Sequence, residues 1–231
     1  MEKNKYNLRM VNLFTSYYKA NNIHRQSELS RCLKNNIQNE LINKIYLLID
    51  DESLIKDMLS DKIIIVKTDG NFRHNFSYYF DLINKHSQEE DINIICNSDI
   101  FFDESLSICN SMRSQDSMAL SRWEVNRRLI KNQVQVQRHG DSQDAWIFRG
   151  SVRKIGFSDF PIGMLGCDNR IAHEIKQAGY NISNPSKTIK CWHLHNTGRV
   201  GTVQITVPPP YLPLPVVEYN VPPKELLKEN C

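Results

Sequence analysis

Three carboxylates and a pair of histidines are the residues of this sequence best equipped for chemistry. The segment Asp91–Asp103 reads DINIICNSDIFFD, an apolar, β-branched run that stops at Asn97-Ser98-Asp99 and is followed by a further acid, Asp103. A hard carboxylate such as Asp99 at the end of a buried strand can hold Mg²⁺ or Mn²⁺. An ion there can bridge two phosphates of a nucleotide and offset the charge that grows as a diphosphate leaves. The plainer alternative is that Asp99 ends a strand and Asp103 caps a helix. His193 and His195 lie two apart in Cys191-Trp192-His193-Leu194-His195, so on a strand both rings face one side and can share a site. One of them would then ligate a metal or bind diphosphate; otherwise one ring packs and the other is solvated. No third soft ligand beyond Cys191 stands at suitable spacing, so catalytic zinc is the weaker reading. Asp168 opens a stretch of helical period beside Met164 and Leu165. A carboxylate so placed can take a proton from a hydroxyl, with the helix dipole favouring its ionised form and burial opposing it. Simple N-capping is the alternative.

Two further clusters adjoin apolar runs. Gly140–Phe148 is a polar loop running into an aromatic strand, where Asp144 either contacts a donor or acceptor sugar or merely enters the strand, and Trp146 fits the core. Ser121-Arg122-Trp123-Glu124 offers Arg122 either to a diphosphate or to an ion pair with Glu124.

The elements that must position these groups alternate between short β-branched runs and segments of helical period, the pattern of an α/β layer fold. Strands are expected at Met10–Phe14, Ile45–Ile49, Ile63–Val66 and Ile92–Cys96. Between the first two, Leu29, Cys32, Leu33, Asn36 and Ile37 fall on one face of a helix over His24–Ile37. Phe72, Phe76, Tyr79, Phe80 and Ile83 do the same before the fourth. Next come a helix near Glu104–Met112, strands near Met118–Ser121 and Ala145–Phe148, a helix Asn169–Ala178 with Asp168 as N-cap and Gly179 as C′ residue, and a last strand near Thr188–Trp192. Strand one runs into Thr15-Ser16-Tyr17, strand two into Asp50-Asp51, and strand three into Thr68-Asp69-Gly70-Asn71 and then Arg73. Ligands of open α/β sheets gather at the carboxyl ends of strands, and hydroxyls, a ring, an acid and a guanidinium gathered there suit a nucleotide. Taken singly, each is also an ordinary turn, loop or surface residue.

As an ordered set these positions resemble the GT-A glycosyltransferases: Thr15-x-Tyr17 after strand one, Asp50 after strand two, Arg73 after strand three and Asn97-x-Asp99 after strand four. Ile162–Ile175, IGMLGCDNRIAHEI, is similar to the family segment in which a Gly-rich acceptor loop precedes an acidic residue opening a helix. Asp168 stands where inverting members carry their base. Cys191–His195 resembles the C-terminal strand whose histidine completes the metal or diphosphate site, which assigns that role to His195. The resemblance covers roughly residues 8 to 196. It departs at Asn97, where the family's Asp-x-Asp has an acid; an amide brings no charge, so metal binding rests on Asp99.

The resemblance implies a GT-A-like (Rossmann-like) α/β fold with a mixed, mostly parallel sheet flanked by helices. It implies a nucleoside-diphosphate sugar as donor, UDP-linked by expectation, with Mn²⁺ or Mg²⁺, and a glycan hydroxyl as acceptor. Thr15, Tyr17, Asp50 and Arg73 would hold the nucleotide, Asn97 and Asp99 address ribose and metal, Asp144 place a sugar, and Asp168 act as base in an inverting hexosyl or deoxyhexosyl transfer. A reading from another class is a non-catalytic nucleotide-sugar or glycan-binding module of a larger assembly. A nucleotidyltransferase ranks last, since no Gly-rich basic triphosphate loop follows the first strand.

Composition bounds the rest. The 231 residues make one domain of ordinary size, expected over 1–198, with an appendage over 199–231. Seven of the nine prolines lie between Pro208 and Pro223, so this tail is a strap over the domain or a linker to further domains or proteins. A net charge of +3, from 29 Lys+Arg against 26 Asp+Glu, is too even for a protein that wraps nucleic acid by charge. The basic residues Arg113, Arg122, Arg127, Arg128, Lys131 and Arg138 could touch nucleic acid, an anionic glycan or anionic lipid head groups, and are expected rather as a solvated flap beside the acceptor site. No apolar run reaches the ~20 residues of a membrane helix and no signal segment follows Met1, so the chain is expected in the cytoplasm. Six cysteines without a C-x-x-C pair imply neither zinc nor a disulfide framework. Walker A, G-x-G-x-x-G, G-x-S-x-G and H-E-x-x-H are missing from the sequence.

Overall fold

The computed structural model describes residues 9–70, 73–125, 140–195 and 206–220. The first β-branched run forms β1 (Val11–Ser16) and is followed by α1 (Ile23–Gln38). The Asn22 side chain caps α1 by accepting from the amides of His24 and Arg25, and the apolar stripe Leu29, Cys32, Leu33 and Asn36 is buried as its spacing requires. β2 (Lys44–Ile49), a 3-10 helix (Glu52–Met58), β3 (Ile63–Lys67), α2 (Phe76–His86) and β4 (Ile92–Cys96) complete the first half. α2 buries Phe76, Tyr79, Phe80, Leu82 and Ile83; Phe72, read into the same helix, lies outside the described residues.

The second half contributes β5 (Ile100–Phe102), a 3-10 helix (Glu104–Ser111), β6 (Asp116–Leu120), β7 (Arg122–Glu124), β8 (Ala145–Arg149), α3 (Cys167–Gln177), β9 (Asn181–Ser183) and β10 (Cys191–His193). The α-helix expected over Glu104–Met112 is thus a tighter 3-10 helix. Its Ser107, Asn110 and Ser111 side chains hydrogen-bond back to backbone carbonyls three residues earlier and compete with a regular α-helical ladder. The last strand begins at Cys191 rather than Thr188, because the Thr188 and Ile189 amides both donate to the Pro185 carbonyl and close a turn.

The main sheet has seven strands in the order β3-β2-β1-β4-β8-β6-β9. β1, β2, β3 and β4 pair in parallel, as do β6 and β9, while β8 runs antiparallel to β4 and β6. The expected mixed, mostly parallel sheet is observed. Alternate residues feed two cores: Val11, Leu13, Ile45, Leu47 and Ile94 pack with Leu29 and Leu33 of α1, and Phe14, Tyr46, Leu48, Ile95 and Trp146 pack with Phe76 of α2 and Ile171 of α3. Burying one such side chain is worth about 1.5–3 kcal/mol, and coverage of both faces explains why the strands read as unbroken apolar runs. A smaller sheet, β5-β10-β7, stands beside the main one. Its three-residue strands are too short to announce themselves by periodicity.

The described part of the proline-rich tail, 206–220, is a strap. Prolines offer no N–H, so the strap attaches through its other residues: Val207 N donates to Leu165 O, Leu212 N to Asn169 O, Leu214 N to Gly140 O and Val217 N to Asn184 O. Val207 and Leu214 are buried. The remainder of the tail and the basic residues Arg127, Arg128, Lys131 and Arg138 lie outside the described residues. The five described cysteines are buried free thiols.

α3 is capped differently from expectation. Its N-cap is Gly166 at φ +76°, and Asp168 sits one residue into the first turn. A Cβ on Gly166 would stand 2.8 Å from the Tyr211 hydroxyl and 3.0 Å from the Val207 carbonyl oxygen of the strap. Gly166→Ala is therefore expected to destabilise the protein by about 1–3 kcal/mol, read as a lowered thermal midpoint.

Candidate functional site

The topology brings strand ends from both halves of the chain to one edge. β1 through β4 end there, and because β8 is antiparallel to β4, Asp144 just before β8 meets Asn97 just after β4. The Asn97 amide N–H accordingly donates to the Asp144 carbonyl oxygen at 3.1 Å. The Asn97 side-chain amide donates to Asp144 Oδ1 at 2.9 Å, which explains why an amide suits this position: a second carboxylate would face Asp144. Asp144 is buried and also meets Arg122 Nη1 at 3.3 Å, while Arg122 Nε meets Glu124 at 2.6 Å. Arg122 thus joins both acids, so its expected ion pair with Glu124 is present and extended.

Asp99 is the centre of the cluster, 7% exposed. Its Oδ2 lies 2.6 Å from Arg25 Nη2, 3.2 Å from His193 Nε2 and 3.5 Å from His195 Nδ1. Both histidines turn to one side, as residues two apart in an extended segment do, and the Leu194 amide between them donates to the Asp99 carbonyl at 3.0 Å. The second ring nitrogen of His193 meets Glu124 at 2.8 Å, which fixes the orientation of the ring. Burial opposes charge on Asp99, but hydrogen bonds from His193 and His195 and the positive charges of His193 and Arg25 hold its carboxyl well below the usual range. Burial likewise opposes charge on His193, and its bonds to Asp99 and Glu124 overcome this and raise it to about 9.

One carboxylate oxygen and one nitrogen from each of His193 and His195 lie within 4.8 Å of one another. These donors fit a divalent ion: imidazole suits a transition ion such as Mn²⁺ better than Mg²⁺, and the ion would take the place of the proton that His193 shares with Asp99. His193 joins His195 here as a ligand candidate.

Asp168 lies close enough to the cluster to feel it. The Cys167 thiol donates to its Oδ1 at 3.1 Å. Burial first, and the negative charge of Asp144 second, push its carboxyl up to about 7, against hydrogen bonds from Cys167, the Gln143 backbone and the Ser142 hydroxyl.

The remaining expected residues divide. Asp50 is exposed beyond β2, with its Oδ2 3.7 Å from where a Cβ on Gly70 would stand, at the ends of two neighbouring strands. Arg73 is exposed, with Nη1 3.5 Å from the Gly163 carbonyl of the loop before α3. Thr15 is buried, its hydroxyl donating to the Cys96 carbonyl at 3.0 Å. Tyr17 offers no ring for stacking: it is 2% exposed, and its hydroxyl is held by Ser30 at 2.7 Å and Gln26 at 2.9 Å of α1. The alternation Val11, Leu13, Thr15, Tyr17 is the signal that would have placed this ring on the α1 side.

Arg25 carries no functional signal in the sequence, because a charged residue in the first turn of a helix is usually solvated. It also meets Glu28, 1% exposed, at 3.3 Å. Arg25→Ala removes the guanidinium that both acids share and is expected to cost about 2–4 kcal/mol in urea unfolding.

No family model matches the sequence, and no curated protein matches it. Solved structures match the fold. A mannosyltransferase, PcManGT of Pyrobaculum calidifontis, in complex with GDP-Man and Mn²⁺, is 12% identical with a TM-score of 0.50 over 79% of this chain and 56% of its own. TarS 1–349 of S. aureus, in complex with UDP-GlcNAc, is 12% identical with a TM-score of 0.50 over 82% of this chain and 60% of its own. The chain therefore spans less than two thirds of either. Both are of GT-A type, and the present chain has a GT-A-like fold. Among the described residues no helix is long and apolar enough to cross a membrane.

Proposed function

We propose that this chain is a metal-dependent glycosyltransferase that moves a sugar from a nucleoside diphosphate to a hydroxyl of a glycan. The observation that carries this reading is the convergence, at one sheet edge, of a carboxylate–histidine cluster suited to a divalent ion and a second carboxylate, Asp168, poised near neutral pH. The nucleotide-sugar complexes of the two fold neighbours support the reading. In it, Asp99, His193 and His195 hold Mn²⁺ or Mg²⁺. The bound ion supplies positive charge where a diphosphate develops negative charge. Asp50 and Arg73 contact the nucleotide, and Asp144, held by Asn97 and Arg122, places the sugar. Thr15 shapes the wall beneath.

Asp168 takes the proton of the acceptor hydroxyl on one of its carboxylate oxygens. With its carboxyl raised to about 7, it is basic enough to accept that proton and still largely ionised slightly above neutrality. The reaction inverts the anomeric centre when that hydroxyl approaches opposite the diphosphate. UDP is the first nucleotide to test.

The test is a thermal-shift titration of the full chain with UDP, GDP, CDP and ADP and their sugars, with Mn²⁺ or with chelator. One diphosphate should raise the midpoint by several degrees with Mn²⁺ only, following the mass-action stabilisation of a folded state that binds ligand. If none does so under either condition, the donor site is not where the cluster stands and the reading falls.

A further inference from the structure

Three aromatic rings stand in a row on the outer face of the small sheet. Phe101 of β5, Trp192 of β10 and Trp123 of β7 are register partners, so their side chains leave by one face while Ile100, Phe102, Cys191 and His193 leave by the other. The Phe101 and Trp192 rings are near-parallel at 15° with centroids 6.4 Å apart, and Trp123 follows at 6.0 Å, tilted 53° from Trp192, so the row curves. All three are half-buried, whereas the third tryptophan, Trp146, is fully buried in the main core.

The row is locked from within. Trp192 Nε1 donates to Asp103 Oδ2 at 2.8 Å, and Trp123 Nε1 donates to the Ser186 carbonyl at 2.6 Å. The indoles therefore present ring faces and edges outward and keep their N–H groups for the protein. Lys190 leans over both, with Nζ 5.6 Å from the Trp123 centroid and 5.8 Å from that of Trp192. Among the described residues its ammonium has no carboxylate within ion-pair distance.

We infer that this row is a binding platform for an acidic oligosaccharide. Fixed aromatic faces pack against the apolar C–H face of pyranose rings, and three rings in series offer that contact to consecutive sugars. The ammonium between them supplies the complementary charge for a carboxylate or phosphate on the sugar. The platform is narrow and half-buried, and unlike the broad apolar patches that receive membranes or protein partners it carries its own cation. Binding here needs no nucleotide, no divalent ion and neither Asp99 nor Asp168, so it stands or falls separately from the transfer reading.

The experiment titrates the full chain with tetragalacturonate and, as a neutral probe of equal length, maltotetraose, following tryptophan emission and heat. Tetragalacturonate is expected to shift the emission and to bind at least tenfold more tightly than maltotetraose. Lys190→Glu should erase that preference, and Trp192→Ala or Trp123→Ala should weaken binding at least tenfold. Where Trp192→Ala lowers the thermal midpoint, Lys190→Glu, which changes only the end of a half-buried side chain, decides the question. The inference is overturned by absent or equal binding of the two probes, or by tetragalacturonate binding undiminished in both Lys190→Glu and Trp123→Ala. A dimer in light scattering that Trp192→Ala abolishes also overturns it, since the face would then belong to a second copy.

Discussion

Asp168→Asn is expected to lower sugar transfer by about 10²- to 10⁴-fold while leaving metal-dependent nucleotide binding unchanged, because the amide keeps the size of the side chain and loses only its capacity to accept a proton. Single-turnover transfer and the thermal shift with nucleotide and Mn²⁺ separate the two effects. Loss of both together would make Asp168 a structural residue of α3 and remove it from the chemistry. The wild type carries a second signature. Its carboxyl is raised to about 7 by burial and by the charge of Asp144, so the rate should climb as pH rises through about 7 and then level off. Asp144→Asn withdraws one of those causes and should move the midpoint down.

Stability should respond in the opposite sense. A carboxyl whose folded value lies above its unfolded value of about 4 opposes folding fully above pH 7, and this opposition fades as pH falls to about 4. Asp168→Asn should therefore raise the melting temperature at pH 8, with a gain on the order of 1–3 kcal/mol that vanishes near pH 4. A residue that costs stability where it would be active is the trade expected of a functional group, and a melting temperature lowered at pH 8 would contradict it.

The other large effect is expected at Asp99. Asp99→Asn should abolish the Mn²⁺-dependent thermal shift and reduce transfer by about 10³-fold or more, the several kcal/mol that a bound cation contributes to a developing charge. The amide still accepts from Arg25 but presents no charge to a cation already facing two imidazoles and a guanidinium. Calorimetric titration with Mn²⁺ measures this directly. Unchanged Mn²⁺ affinity in Asp99→Asn would move the metal away from the histidine cluster.

Much of this arrangement is legible in the residues, and the limits have physical causes. β1 to β4 and the buried stripes of α1 and α2 are local patterns, each written in a window shorter than twenty residues. Asp99 and the two histidines were readable from chemistry and spacing, since strand ends gather and alternate residues share a side. The start of α3 was misjudged by two residues because a glycine at positive φ can cap a helix without any side chain, while an aspartate nearby is the commoner signal. Tyr17 follows a strand, where ligands gather, but the period-two alternation of β1 sends it inward. Arg25 was illegible: its partner Asp99 is set by tertiary packing, and no local pattern distinguishes it from other helix-surface cations. The small sheet escaped because its three short strands acquire meaning only through one another.

Residues 206–220 hold the backbone of Leu165 and of Asn169, on either side of Asp168. A ribosome delivers β1 to β4 and Asp99 first, and these can pair and bury their core while the rest is still being made. The strap emerges later than every other element that frames Asp168. His193 and His195 also emerge late, so the Asp99–His193–His195 cluster and the backbone on either side of Asp168 are completed together, after the main sheet.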